Sequence, residues 1–143
     1  MWKTSLNKKE AQERKWYLVD ATDKVLGKLA VKVAEKLMGK DEPNWTPNVL
    51  SEAGVIVINA SKVKVTGKKR EQKTYSRYSG YPGGLKEIPF EIQMSKDPTK
   101  IIRHAVRLML PKTKLGRKML KKLRIYEGSE HPHMAQNPEI MEV

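Results

Sequence analysis

The chain has no cysteine, a single phenylalanine, and no acidic residue at all between Thr99 and Tyr126. The first absence rules out disulfides and thiolate metal sites and fits a reducing compartment. No apolar run approaches the roughly 18–20 residues that span a bilayer, and the start of the chain carries neither an apolar signal core nor a cleavage site. A cytoplasmic protein with no membrane partner is therefore expected. Also missing are an activated Ser or Thr motif, a nucleophile elbow and a pair of carboxylates in an apolar setting, so neither an enzyme nor a catalytic residue is expected. His131 and His133 lie close together, but with only His104 besides and no thiol, surface or RNA-contact roles suit them better than zinc, and no metal is expected.

What the chain has in excess is positive charge. Lys and Arg number 29 against 16 Asp and Glu, giving a net charge of +13 over 143 residues. Hydrophobic residues make up 38% and charged residues 31%, against typical values of about 45–50% and 25%. The expectation is one domain spanning residues 1–143, with a modest core and a heavily ionised surface. Such a balance points to nucleic acid rather than an anionic membrane, because the basic helices have only a small apolar face and the core claims it.

The acid-free stretch holds ten Lys or Arg residues. Asp97 as N-cap and Pro98 at the first helical position predict a helix from Pro98 to about Met109. At 100° per residue, Ile101, Ile102, Ala105, Leu108 and Met109 share its inner arc, and Lys100, Arg103, His104 and Arg107 the outer one. Pro111 ends it. Thr113 is placed to cap a second helix with Leu115, Met119 and Leu120 inside and Lys114, Arg117, Lys118, Lys121 and Lys122 outside, with Gly116 as its weak spot. Leu123–Tyr126 then alternates as a short strand. A solvated helix face normally mixes both signs, since like charges at i,i+4 cost a few tenths of a kcal/mol each. Here the repulsion has no internal relief, and dense phosphate would supply it.

In chain order, Met1–Arg14 is a polar, Lys-rich arm that Trp2 is expected to pin to the body. Trp16–Val19 predicts a strand. Asp23 is placed to cap a helix carrying Leu26, Leu29, Ala30, Val33 and Leu37 inward and closed by Gly39. Trp45 falls in the Asp41–Pro47 loop without an evident role. Val55–Ile58 reads as a central strand, so a parallel βαβ unit is expected. Lys62–Thr66 alternates, and Gly67–Arg70 is expected to turn it into Lys73–Tyr78 as a ribbon. Eight basic residues stand against the single acid Glu71 between Lys62 and Lys86, interleaved with Tyr75, Tyr78 and Tyr81. That mixture suits phosphate contact with base stacking, and equally suits tyrosines that pack a hairpin. Ser79–Gly84 matches neither dinucleotide nor Walker spacing, so no small-molecule substrate is expected, and close approach to an RNA backbone fits the loop better. Ile88–Met94 reads as a connector, and residues 128–143 as a loop-like tail.

Several of these segments together resemble the bacterial large-subunit ribosomal protein L-thirteen family. The resemblance is carried most strongly by Met109-Leu-Pro111, Leu115-Gly-Arg-Lys-Met119, Leu123-Arg-Ile-Tyr126, Gly128 and Glu130-His-Pro-His133. Trp16–Ala21, Leu26–Ala30, Val57–Ala60, Val63–Lys68 and Ser79–Gly84 support it. The chain departs from the family pattern at Leu108, where a small or basic residue is usual, and at Ser76 and Tyr78, where Tyr and His are common.

The resemblance implies a three-layer α/β/α fold with a four-stranded, mainly parallel sheet and basic loop or ribbon extensions. It implies a structural constituent of the large ribosomal subunit, with no enzymatic activity and no cofactor. Its partners would be large-subunit rRNA and neighbouring large-subunit proteins, and it would act early in assembly. Lys112, Lys114, Arg117, Lys118, Lys121 and Lys122 are the first candidates for RNA contact. Lys68, Lys69, Arg70, Arg77, Gly80, Tyr81, Gly83 and Gly84 are the second group. Two other classes share these features: a regulatory RNA-binding protein acting on a messenger, and a nucleotide-using enzyme on an α/β scaffold.

Overall fold

The computed structural model describes residues 14–143, so the expected arm and its Trp2 lie outside the described residues except for Arg14. Strand β1 (Trp16–Asp20) and strand β2 (Gly54–Ile58) pair in parallel over five residues, Trp16 with Gly54 through Asp20 with Ile58. Helix α1 (Leu26–Met38) connects them and buries Leu26, Leu29, Ala30, Val33, Ala34, Leu37 and Met38. Gly39 ends it with φ +73°, and the Gly39 and Lys40 amides donate to the Lys36 and Glu35 carbonyls. A Cβ there would also lie 2.9 Å from Ser51 Cβ, so both backbone and space require glycine.

The start of α1 differs from expectation. Asp23 is not its cap. Asp23 sits at φ +60° with its carboxylate 2.7 Å from Lys64 Nζ, and Val25 precedes the helix without any side-chain cap. The reason is a bridge between Val25 and Lys64: the Lys64 carbonyl accepts from the Leu26 amide at 2.8 Å, a tertiary partner for an otherwise orphaned donor.

Between β2 and the next sheet strand the chain makes a long excursion. It runs through a 3-10 turn (Ala60–Lys62), helix α2 (Lys69–Gln72), strands β3 (Thr74–Tyr78) and β4 (Leu85–Pro89), and helices α3 (Phe90–Lys96), α4 (Pro98–Met109) and α5 (Lys114–Lys121). The ribbon exists, but with a different partner. Thr74–Tyr78 pairs antiparallel with Leu85–Pro89, whereas Lys62–Thr66 contributes only the Lys64 bridge. The helical turn at Lys69–Gln72 redirects the chain where a hairpin was expected. The ribbon turns instead at Ser79–Gly84, with Gly80 at φ +93° and Gly83 at +69°. Ile88–Met94 is consequently no plain connector, for it contains the end of β4 and the start of α3.

Helix α4 begins as its sequence predicts. The Asp97 carboxylate accepts from the Lys100 amide, and Pro98 occupies the first turn. Hydrogen bonds from Thr99 and Lys100 hold the Asp97 carboxyl down at about 2. The buried residues are Pro98, Ile101, Ile102 and Val106. Leu108 and Met109, expected inside, are 57% and 39% exposed. Val106 shifts the buried arc away from Leu108, and Leu110, 4% exposed just past the helix, takes the inner place at its end.

Strand β5 (Leu123–Ile125) adds to β2, and strand β6 (Glu139–Ile140) adds to β1, completing a parallel sheet in the order β5-β2-β1-β6. The tail is therefore more than a loop. After a 3-10 turn at Met134–Gln136 it supplies an edge strand, and the Met141 amide donates to the Leu18 carbonyl. Helix α1 contacts both α4 and α5, and residues of the three share a core with Val19, Val55, Val57 and Leu123. On the alternate face, Trp16 stacks on His133 at 6.1 Å, and His133 Nε2 lies 2.6 Å from Tyr126 Oη. His133 is half-buried against these rings and serves to fasten the tail, in place of the surface role expected of it.

Candidate nucleic-acid interface

Helix α5 is a cationic ridge on an apolar footing. Thr113 Oγ1 accepts from the Gly116 amide at 3.3 Å and starts the helix. Met119 is buried, Leu115 and Leu120 are half-buried, and Lys112, Lys114, Arg117, Lys118 and Lys121 stand exposed. Among the described residues no salt bridge reaches any of these five cations, although the same chain pairs Lys32, Lys36, Lys64, Arg70 and Lys100 with carboxylates elsewhere.

Gly116 is not a weak spot. Its position faces the Pro111 carbonyl so closely that any Cβ would overlap the oxygen. Lys122 also departs from expectation. It follows the helix, and its Nζ donates to the Ser51 carbonyl at 2.7 Å and to Glu52 Oε2 at 3.0 Å. Its side chain is only 21% exposed and that of Glu52 only 10%. Lys122 ties the end of α5 to the segment entering β2, so it leaves the set of cations open to a partner. Lys122→Met keeps the apolar stem but strips Glu52 of its near cation, leaving Arg14 at 3.8 Å. A loss of about 2 kcal/mol in urea unfolding is expected, together with an unchanged salt dependence of RNA binding.

The second group of candidates is divided by the structure. Arg77 lies on β3, and Gly80, Tyr81, Gly83 and Gly84 form the tip of the ribbon, with Tyr81 77% and Tyr78 63% exposed. Tyr75 behaves differently from its two neighbours. Its ring packs on Phe90 at 6.5 Å and meets His104 edge-on at 5.6 Å, and its buried hydroxyl has no hydrogen-bond partner among the described residues. Burial pushes its pKa up. Tyr75 thus fastens the ribbon to α4, leaving Tyr78 and Tyr81 as the free rings. Lys68 and the α2 residue Lys69 are exposed, and Arg70 is paired with Glu91 at 3.1 Å. They line neither the cleft between ribbon and α4 nor the groove between α4 and α5.

Docking the ribbon on α4 creates a cleft of about 680 Å³ between Arg77 and Ile88 on one wall and Lys100, Arg103, His104 and Arg107 on the other, with Leu120 also in its lining. A neighbouring groove of about 310 Å³ runs between α4 and α5, lined by Arg107, Lys112 and Arg117 around Leu108, Leu110 and Leu120. Arg107 lines both. One cationic strip therefore runs from the ribbon across α4 to α5, and among the described residues no carboxylate lines either cleft. Burial, then the charges of Arg107 and Lys73, hold the His104 pKa below the usual imidazole range. Sequence periodicity displayed the basic outer arc of α4, but gave no sign that Arg77 would close over it.

An α/β scaffold that brings cations from a ribbon and two helices into one strip, with Asp97 beside Lys100 as its one paired carboxylate among the described residues, has the electrostatic form of a polyanion-binding protein. A family model described as Ribosomal protein L13 matches residues 14–132. The chain is 55% identical over 131 residues to a protein of Thermus thermophilus named Large ribosomal subunit protein uL13, covering 92% of this chain and 94% of that one. Proteins of the same name from Finegoldia magna, 55% identical with 99% of each chain covered, and Thermosipho africanus, 56% identical with 95% and 91% covered, are also similar. The chain belongs to the ribosomal protein L13 family. Membership of a ribosomal-protein family is what sets the enzyme alternative aside.

Proposed function

We propose that the chain is a structural constituent of the large ribosomal subunit, in the cytoplasm, where it binds large-subunit rRNA and holds segments of it in fixed relation during early assembly. The observation that carries this reading is the strip joined at Arg107, in which exposed cations on three elements stand on a packed core and, among the described residues, Lys100 alone is held by a carboxylate, that of Asp97. Cations placed this way neutralise phosphates and fix RNA register; they read little sequence by themselves. Lys112, Lys114, Arg117, Lys118 and Lys121 form the principal contact, with Arg77 and the Gly80–Gly84 tip as a second. Lys68 and Lys69 extend it outside the clefts, and Arg70 joins only by leaving Glu91. Neighbouring large-subunit proteins are further partners.

The test is the salt dependence of binding to a large-subunit rRNA fragment. With about six phosphates neutralised, log K against log[salt] should fall with a slope of about −4 to −5. A flat dependence would defeat the electrostatic reading. Co-sedimentation with large subunits separates a subunit constituent from a protein that regulates a messenger through the same surface.

A further inference from the structure

We propose that the cleft between β3–β4 and α4 is a nucleotide pocket, receiving one nucleotide of the bound RNA swung out of its helix. Its phosphate lies among Arg77, Arg103 and Arg107, and its base against Ile88 and Leu120. This inference rests on the rRNA-binding reading and goes beyond it, since a strip that only neutralised phosphates would need no cavity.

Three features of the cleft point the same way. Its volume of about 680 Å³ lies within the roughly 300–1,000 Å³ of preformed ligand clefts, large enough for a single nucleotide and far too small for an RNA helix. Its chemistry is divided: the lining has guanidinium groups and no carboxylate, but also Tyr75, Ile88, Ile101 and Leu120. Inorganic phosphate would leave that apolar part unused, whereas a nucleotide uses both parts. Ile88 is 39% exposed on a ribbon wall facing the cleft, an apolar cost that a stacked base removes. The cleft is also preformed. Tyr75 of the ribbon is wedged between Phe90 and His104, which ties ribbon to helix, and within α4 His104 Nδ1 lies 3.4 Å from an Arg107 guanidinium nitrogen. Specific RNA recognition commonly takes splayed, unstacked bases into such sites. Lys100 is excluded from the phosphate group, because Asp97 holds its Nζ at 2.9 Å.

The experiment has two arms, both on the full chain bound to large-subunit rRNA. In the first, short-wave ultraviolet crosslinking followed by peptide mass spectrometry locates the bases. A nucleotide attached at Tyr75, Ile88 or His104 is expected, and crosslinks confined to α5 and the Tyr81 tip overturn the pocket. In the second, Arg103→Gln with Arg107→Gln should lower affinity by about tenfold or more and make the salt slope shallower by about one to two units, with the thermal midpoint of the free protein as control. Unchanged affinity and slope also overturn it. A shallower slope without a base crosslink inside the cleft means phosphates pass over its rim, and nucleotide insertion is then wrong. Should the double variant fail to fold, the wild-type crosslink map decides alone. If the wild-type chain binds no rRNA, the broader reading falls with this one; if it binds with the expected slope and the cleft stays empty, only the pocket falls.

Discussion

Gly116→Ala should destabilise the protein by up to about 2 kcal/mol, although alanine is the better helix former. Propensity alone favours Ala over Gly in a helix by about 1 kcal/mol. Against that stands the elbow between α4 and α5, where the Pro111 carbonyl occupies the space a Cβ needs. The obstacle is backbone, so no rotamer change relieves it, and overpacking of this kind typically costs about 1–3 kcal/mol and occasionally more. The elbow has little freedom to retreat, since Thr113 caps the helix through the Gly116 amide and Leu110 is buried at the other side of Pro111. Gly27→Ala is the paired control. Gly27 lies in α1 with open space where its Cβ would be, so propensity acts unopposed and a gain of up to about 1 kcal/mol is expected. Urea unfolding of the two variants should move the midpoints in opposite directions. A stabilised Gly116→Ala protein would show that the approach of Pro111 is not fixed.

That opposition of sign shows what a sequence can reveal about this fold. Elements set by neighbours in the chain were legible: the Asp97-Pro98 start of α4, the Gly39 end of α1, the Thr113 cap of α5 and the apolar run of β2 all carry their cause within a few residues. Elements set by distant partners were not. Gly116 looks like any helix-weakening glycine until Pro111 folds back over it. Strand β6 is only Glu139–Ile140, without a β-forming run, and exists because β1 offers Tyr17 and Leu18 as an open edge. The sequence suggests a ribbon of Lys62–Thr66 with Lys73–Tyr78, but local pattern cannot say which strand pairs with which, and Thr74–Tyr78 takes Leu85–Pro89 instead. The interface divides the same way. The cations of α5 were visible as a helical face, yet Lys122, one residue past the helix, is claimed by Ser51 and Glu52 some 70 positions away. The cleft was hidden entirely, because its two walls come from separate elements and only the docking of Tyr75 on His104 brings them together.

Replacing Lys114, Lys118 and Lys121 together by Ala should cut RNA binding severely while leaving the free protein as stable as before or slightly more so. All three side chains are exposed, and none has a salt bridge among the described residues. Lys114 with Lys118, and Lys118 with Lys121, are like-charge neighbours on the helix, so their removal relieves repulsion of a few tenths of a kcal/mol per pair, and alanine adds helix propensity. The opposing effect is that a lysine stem can cover apolar surface, here the half-buried Leu115 and Leu120. Those two leucines rest against the core themselves, so this loss should be small. Binding follows different arithmetic: if each lysine meets a phosphate, the salt slope should become shallower by about two to three units, with lower affinity at any fixed salt. Ile102→Ala provides the contrast. Ile102 of α4 is fully buried in the core, so its truncation should cost about 2–5 kcal/mol of folding while the molecules that remain folded keep the wild-type slope. The two variants thus separate charge that binds from residues that support. A triple variant that melts early yet retains affinity and slope would mean that the ridge serves the fold, and that the principal RNA contact lies elsewhere on the strip.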